Sequence, residues 1–230
     1  MRRPALVVLD IDGTLLDTPH LPAWRTGLER VLRSAGVDRS CPITVEQYHR
    51  HIAGRPRDVG ARAALEIAGV APSEPLVDQL AAVKQEVFLG QAEETVLFPD
   101  AADFLDAAAA AQLPVAFCTA SRNAGELLAK RLMDLDGGDW LFERLHRSLG
   151  PSGHYGTVPR AAALAQVAAT WRVPPADCAL VDDAWSGVVA GREVGMRSIL
   201  LDRLGLHPAT TDFPVVSTLA EVPAGVRSTR

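Results

Sequence analysis

The stretch "LVVLDIDGTLLDT", residues 6–18, runs an apolar segment straight into two aspartates one residue apart and then into a glycine turn. An unbroken apolar run of this kind is the pattern of a strand buried on both faces, and such strands belong to parallel sheets. The first run is Ala5–Leu9, and Pro114–Cys118, Cys178–Val181 and Ser198–Leu201 repeat it. Helical periodicity fills the intervals, notably at Ala101–Ala111, Gly125–Met133 and Arg160–Trp171; the alanine-rich "LDAAAAAQ" reads as helix on propensity. Strand and helix in alternation predict a doubly wound α/β core around a parallel sheet.

One interval departs from the alternation. Between about Asp17 and Phe98 only helical patterns are legible: "AWRTGLERVLRSAG", "DVGARAALEIAG" and "EPLVDQLAAVKQEVF", separated by turn signals such as "APSEP". The expected organisation is an α/β core over residues 1–17 and 97–230, with a helical insertion over residues 18–96.

Composition narrows the possible partners. A formal charge of -5 and a pI near 5.7 exclude the broad basic surface that binding a polyanion needs, so no nucleic acid is expected. Small anions need only one local arginine cluster. Cys41, Cys118 and Cys178 are odd in number and far apart, which argues against a disulfide framework or a structural zinc site and for a cytoplasmic location. The N-terminal "MRRPALVVLDIDG" is basic and then apolar, but its apolar run stops at Asp10, too soon for a signal-peptide core. No segment is long enough to span a membrane. Lys84 and Lys130 are the only lysines; arginine supplies every other basic side chain of the Lys and Arg class.

Ligands of open α/β sheets lie beyond the carboxyl ends of the strands. Three such ends are polar: Asp10 and Asp12, then Thr119, then Asp182 with Asp183. Four carboxylates converging on one edge would repel unless a cation held them, and a hard divalent ion with oxygen ligands, most simply Mg2+, meets that need. Period two sends Asp10 and Asp12 to the same side of their strand end, so that one can attack while the other handles a proton. A carboxylate nucleophile that becomes an aspartyl phosphate is an established form of covalent catalysis.

The segments "DIDGT", "FCTASRN" and "ALVDDAWSGVVAGREVGM" resemble, in order and on strand ends, the motifs of the haloacid dehalogenase superfamily of phosphotransferases. The resemblance implies that Asp10 is the nucleophile, Asp12 the general acid and base, and Thr119 a hydrogen-bond donor to the phosphoryl group. It implies a Mg2+ site of Asp10, Asp12 and Asp183 with Asp182 assisting, and phosphate contacts from Ser121, Arg122 and Asn123. The helical insertion resembles the small α-helical cap of the subgroup that includes β-phosphoglucomutase, where "HLPAW" and "GRPRD" make His20 and Arg57 substrate contacts; Lys84 is a further cap candidate. His154 and Tyr155, in "GPSGHYGT", read as exposed, and Trp185 as a packing residue.

One departure from the resemblance matters. The superfamily places a lysine ahead of its last motif, and residues 131–230 contain none. Arg160, in "GTVPRAAAL", is the expected substitute cation. The function expected is Mg2+-dependent hydrolysis of a small phosphorylated metabolite, such as a sugar phosphate. The alternatives are a phosphosugar mutase with the same phosphoaspartate and, from another class, a catalytically weak binding or regulatory protein on the same scaffold.

Overall fold

The computed structural model describes residues 3–37, 43–133, 158–207 and 212–222. Cys41, His154 and Tyr155 lie outside the described residues. The chain divides into two compact units, Met1–Asp17 with Val96–Arg230, and Thr18–Thr95.

The first unit is built on a five-stranded sheet in the order β4-β1-β5-β6-β7, with every pairing parallel. Its strands are β1 (Leu6–Leu9), β4 (Val115–Phe117), β5 (Cys178–Asp182), β6 (Arg197–Leu201) and β7 (Val215–Val216). Helices α5 (Pro99–Ala110), α6 (Ala124–Leu132), α7 (Arg160–Trp171) and α8 (Trp185–Glu193) cover it. The period of two divides β1 between the sheet faces. Val7 and Leu9 join Val115, Phe117 and Val181 in a core closed by Phe104, Leu105 and Leu128. Leu6 and Val8 join Ala116, Cys118 and Leu180 in another, closed by Ala163, Leu164 and Val167. Each Val, Leu or Phe side chain among these contributes roughly 1.5–3 kcal/mol on burial, and burial on both faces is why the strands carry no polar alternation. The doubly wound parallel architecture expected from the sequence is the one observed.

Register aligns the strand ends. Leu9 pairs with Phe117 on one side and Val181 on the other. The next step is locked by the backbone, where Asp10 N donates to Val181 O at 3.0 Å and Cys118 N to Leu9 O at 2.9 Å. Asp10, Thr119 and the Asp182–Asp183 pair therefore emerge along one edge.

Two short elements escaped the pattern. Strands β2 (Leu16–Asp17) and β3 (Val96–Leu97) pair antiparallel where the chain leaves and re-enters the first unit. Two residues carry no readable periodicity. β7 (Val215–Val216) carries none for the same reason.

The second unit is helical: α1 (His20–Ser34), α2 (Val45–His51), α3 (Arg57–Ile67) and α4 (Glu74–Gly90). Trp24, Leu28, Val31 and Leu32 recur at helical spacing along α1 and pack with Ala61, Ala64 and Leu65 of α3 and Val77 and Leu80 of α4. Helix α2 buries no residue and so has no apolar stripe to read. It is held at its start by a capping box, in which Thr44 Oγ1 accepts from Gln47 N while Gln47 Oε1 accepts from Thr44 N.

Candidate active site

Asp10 stands just beyond β1, Asp182 ends β5, and Asp183 follows it. Each can offer a carboxylate oxygen within 4.8 Å of the others'. Two glycines make room for this. Gly13 has a φ of 80°, and a Cβ there would overlap the Asp183 carboxylate; a Cβ on Gly187 would overlap that of Asp182. The turn after Asp12 and the start of α8 are thus pressed against the acidic pair.

Arg160, the first residue of α7, reaches into this group. Its Nη2 donates to Asp10 Oδ1 at 2.7 Å and to Asp182 Oδ2 at 2.6 Å. The pair is well shielded, with the Asp182 side chain 1% exposed and that of Arg160 16%. Asp182 Oδ1 accepts from Ala184 N at 2.9 Å, so both oxygens of this carboxylate are engaged. Asp12 is not part of the three-carboxylate group, although its charge acts on both Asp10 and Asp183.

The electrostatics are unbalanced. Burial, and next the Asp182 charge, push the Asp10 carboxyl up to about 8 against the lowering effect of Arg160. Asp183 is also driven well up, by burial first and then by Asp10, Asp182 and Asp12. Burial works against the Arg160 cation, but Asp182 and Asp10 outweigh it and hold its proton still more firmly. One guanidinium cannot neutralise so many carboxylates, and an all-oxygen donor set of this kind suits a hard divalent cation.

A stability prediction follows from the sign of these shifts. A carboxyl whose folded pKa is raised contributes stability that is whole below its unfolded pKa and is lost as pH climbs to the folded one. In chelator the protein should therefore melt at progressively lower temperature from about pH 4 towards pH 8, the interval spanned by the Asp10 shift. Added Mg2+ should raise the melting temperature much more at pH 8 than at pH 5, and Asp183→Asn should remove most of that increment. A Mg2+ increment independent of pH would contradict the carboxylate site.

The "TASRN" segment lies between β4 and α6. Thr119 is buried, and its Oγ1 accepts from Ser121 N at 3.0 Å; Ser121 Oγ accepts from Asn123 N at 3.4 Å. These two hydroxyl turns shape the entry to α6, whose N-cap is Asn123, while Arg122 is exposed. In the second unit the structure brings His20 and Lys84 together, with Lys84 Nζ 2.7 Å from His20 Nδ1. Lys84 is 3% exposed and lies over the Phe88 and Trp24 rings, with His20 stacked on Phe88. Arg57 is the first residue of α3 and is half-buried. Trp185 packs against His207 and Phe213 yet stays 40% exposed.

A fourth strand end on this edge is polar as well: Asp202 and Arg203 follow β6 directly, and the strand-end rule that selects Asp10, Thr119 and Asp182 points to them equally.

A parallel α/β unit with carboxylates and a half-buried arginine gathered beyond its strand ends has the site at which enzymes of that architecture bind their ligands. The particular family is set by sequence: residues 4–195 match the haloacid dehalogenase-like hydrolases, and the chain belongs to that family, as a phosphatase or phosphotransferase of its type. Among curated proteins, the β-phosphoglucomutase of Mycobacterium bovis is 25% identical over 202 residues, covering 80% of this chain and 76% of that protein. Among solved structures, CbbY from Rhodobacter sphaeroides in complex with phosphate is similar with a TM-score of 0.68 at 20% identity, over 95% of this chain and 96% of that one. An archaeal β-phosphoglucomutase from a hyperthermophilic Pyrococcus gives a TM-score of 0.66 at 20% identity, over 94% of both chains. No helix among the described residues is long and apolar enough to cross a membrane.

Proposed function

We propose that the protein is a Mg2+-dependent phosphohydrolase that releases phosphate from a small phosphorylated metabolite, a sugar phosphate being the first candidate, through an aspartyl phosphate on Asp10. The observation that supports this best is the Arg160 guanidinium between Asp10 and Asp182. It supplies a fixed cation beside the nucleophile, in a chain without the lysine that the resemblance calls for, and so weighs against a catalytically inert scaffold.

In this reading Asp10 attacks phosphorus, the ester P–O bond breaks, and Asp12 passes its proton to the leaving oxygen. Asp12 then takes a proton from water as that water attacks the phosphoaspartate, the acyl P–O bond opens, and inorganic phosphate departs. The Thr119 hydroxyl donates to a phosphoryl oxygen, with Ser121, Arg122 and Asn123 near it in the chain to help hold the group. Because both Asp182 oxygens are engaged, Asp10 and Asp183 would hold the metal directly, with Asp182 assisting and Asp12 completing the acidic surroundings. Bound Mg2+ would lower the repulsion between an anionic nucleophile and an anionic phosphate. The Thr18–Thr95 unit serves as the cap, and its His20, Arg57 and Lys84 meet the part of the substrate away from the phosphate. A cytoplasmic location accords with the free thiols of Cys118 and Cys178.

The similarity to β-phosphoglucomutases favours a second reading, a mutase that returns the phosphoryl group to another hydroxyl of the sugar. One incubation distinguishes them: β-glucose 1-phosphate, Mg2+ and a trace of the 1,6-bisphosphate, with free phosphate and glucose 6-phosphate followed together. Net phosphate release is expected. Glucose 6-phosphate accumulating much faster than phosphate would make the enzyme a mutase.

A further inference from the structure

The turn that carries Asp12 is held from outside itself. Its internal hydrogen bonds use two carbonyls: Ile11 O accepts from Leu15 N at 2.8 Å and Leu16 N at 2.9 Å, and Leu16 O accepts from Gly13 N at 2.8 Å. Leu15 O is taken by Phe98 N at 2.9 Å. The carbonyls of Gly13 and Thr14 point to Arg203, which donates to the first through Nε at 3.2 Å and to the second through Nη2 at 2.9 Å.

Arg203 is itself restrained on its remaining sides. Its Nη1 donates to Asp100 Oδ2 at 2.8 Å, and its guanidinium lies over the Phe98 ring, 4.0 Å from the centroid. Asp100 Oδ2 also accepts from Thr218 Oγ1 at 2.7 Å and Leu219 N at 2.8 Å. Burial works against the Asp100 charge, but these donors outweigh it and hold the carboxyl below its ordinary range. A planar fork that spans two carbonyls and a carboxylate while stacked on a ring has little freedom left, and lysine cannot reproduce that geometry. On its other side the turn meets Asp183 at Gly13, where no Cβ fits. It is gripped between the acidic pair and Arg203.

We propose that Arg203 is a positioning residue, which grips the turn by the Gly13 and Thr14 carbonyls and thereby aims the Asp12 carboxyl at the leaving oxygen. This rests on the phosphohydrolase reading, in which Asp12 protonates that oxygen. Arg203 touches neither substrate nor metal in this role.

A general acid matters most where the leaving group is a poor one. Phenyl phosphate and p-nitrophenyl phosphate, the second needing far less protonation, are therefore the probes, with Mg2+ present throughout. In Arg203→Met the kcat/KM for phenyl phosphate, which covers only the step that expels the leaving group, should fall about tenfold further than that for p-nitrophenyl phosphate, as a weaker version of the imbalance expected in Asp12→Asn. Arg203→Lys should recover part of the difference. Calorimetric Mg2+ affinity should stay within about twofold of wild type, since the carboxylates that hold the ion are untouched. Equal losses on the two esters, or none, would overturn the proposal, because a merely destabilised protein loses activity on both alike. Hydrogen exchange provides a reading independent of turnover. The amides of residues 12–16 should exchange at least about tenfold faster in Arg203→Met, and more moderately in Arg203→Lys, while residues 6–9 keep their protection. Unchanged exchange in the turn would also overturn it. If wild type hydrolyses neither ester, the phosphohydrolase reading stands or falls on the β-glucose 1-phosphate incubation, and exchange alone decides whether Arg203 holds the turn.

Discussion

Asp10→Asn is expected to leave less than about a thousandth of wild-type turnover, the scale of loss that follows deletion of a covalent catalyst. An amide cannot become an acyl phosphate, so no slower version of the same route remains. The substitution is nearly isosteric, and the amide oxygen can still accept the Arg160 hydrogen bond that Asp10 Oδ1 accepts at 2.7 Å. Since burial and Asp182 push the Asp10 carboxyl up to about 8, its ionised form is a burden on the metal-free fold at neutral pH. The variant should therefore melt no lower than wild type in chelator at pH 8 while being inactive with Mg2+. Residual activity above the stated level in protein of unchanged melting temperature would remove Asp10 from the nucleophile's role.

Arg160→Ala should be the next most damaging change, with a loss in kcat on the order of a hundredfold to a thousandfold, as when one preorganised charge donor is removed from an active site. Two effects combine. The developing charge on the phosphoryl group loses its fixed cation, and Asp10 and Asp182 are left facing each other without the guanidinium that joins them at 2.7 and 2.6 Å. Removing one partner of a buried ion pair costs about 3–5 kcal/mol in stability, so the alanine variant should also melt lower, most visibly at pH 8 in chelator. Arg160→Lys should keep part of the rate, because an ammonium restores the charge but not the planar fork. An alanine variant with wild-type kcat would show that the cation acting on phosphate is another, and Arg122 would then be the first to substitute.

The Mg2+ and pH dependence of melting, the product ratio on β-glucose 1-phosphate and the leaving-group response of Arg203 variants probe separate parts of the same edge. The first reads the carboxylates without turnover. The second reads where the phosphate of that ester goes, and the third reads how the turn carrying Asp12 is held.

Much of this edge was legible from short stretches of chain. Leu6–Leu9, Val115–Phe117 and Cys178–Asp182 are apolar because both of their sides are buried, and that requirement is written into consecutive residues. Asp10, Thr119 and Asp182–Asp183 stood out because polar residues that interrupt such runs mark the carboxyl ends of parallel strands. Lys84 shows the limit of this reading. Helical spacing identifies a helix and its apolar stripe, but not that this lysine turns inward to His20, Phe88 and Trp24.

Sequence by itself thus determined the alternating α/β core and the polar ends of its strands, because patterns of burial and propensity act over a few neighbouring residues. Tertiary structure alone decided that Arg160 joins Asp10 to Asp182, and that Arg203 holds the Gly13 and Thr14 carbonyls. Those partners are 150 and 190 positions apart in the cases of Asp10 and Gly13, and no local pattern links them. The register of parallel strands, β1 beside β5 and β5 beside β6, sets Asp10, Asp182 and Arg203 along one edge, and the packing of α7 on the sheet through Ala163, Leu164 and Val167 brings its first residue, Arg160, to the same place, so these side chains meet only after the core has formed.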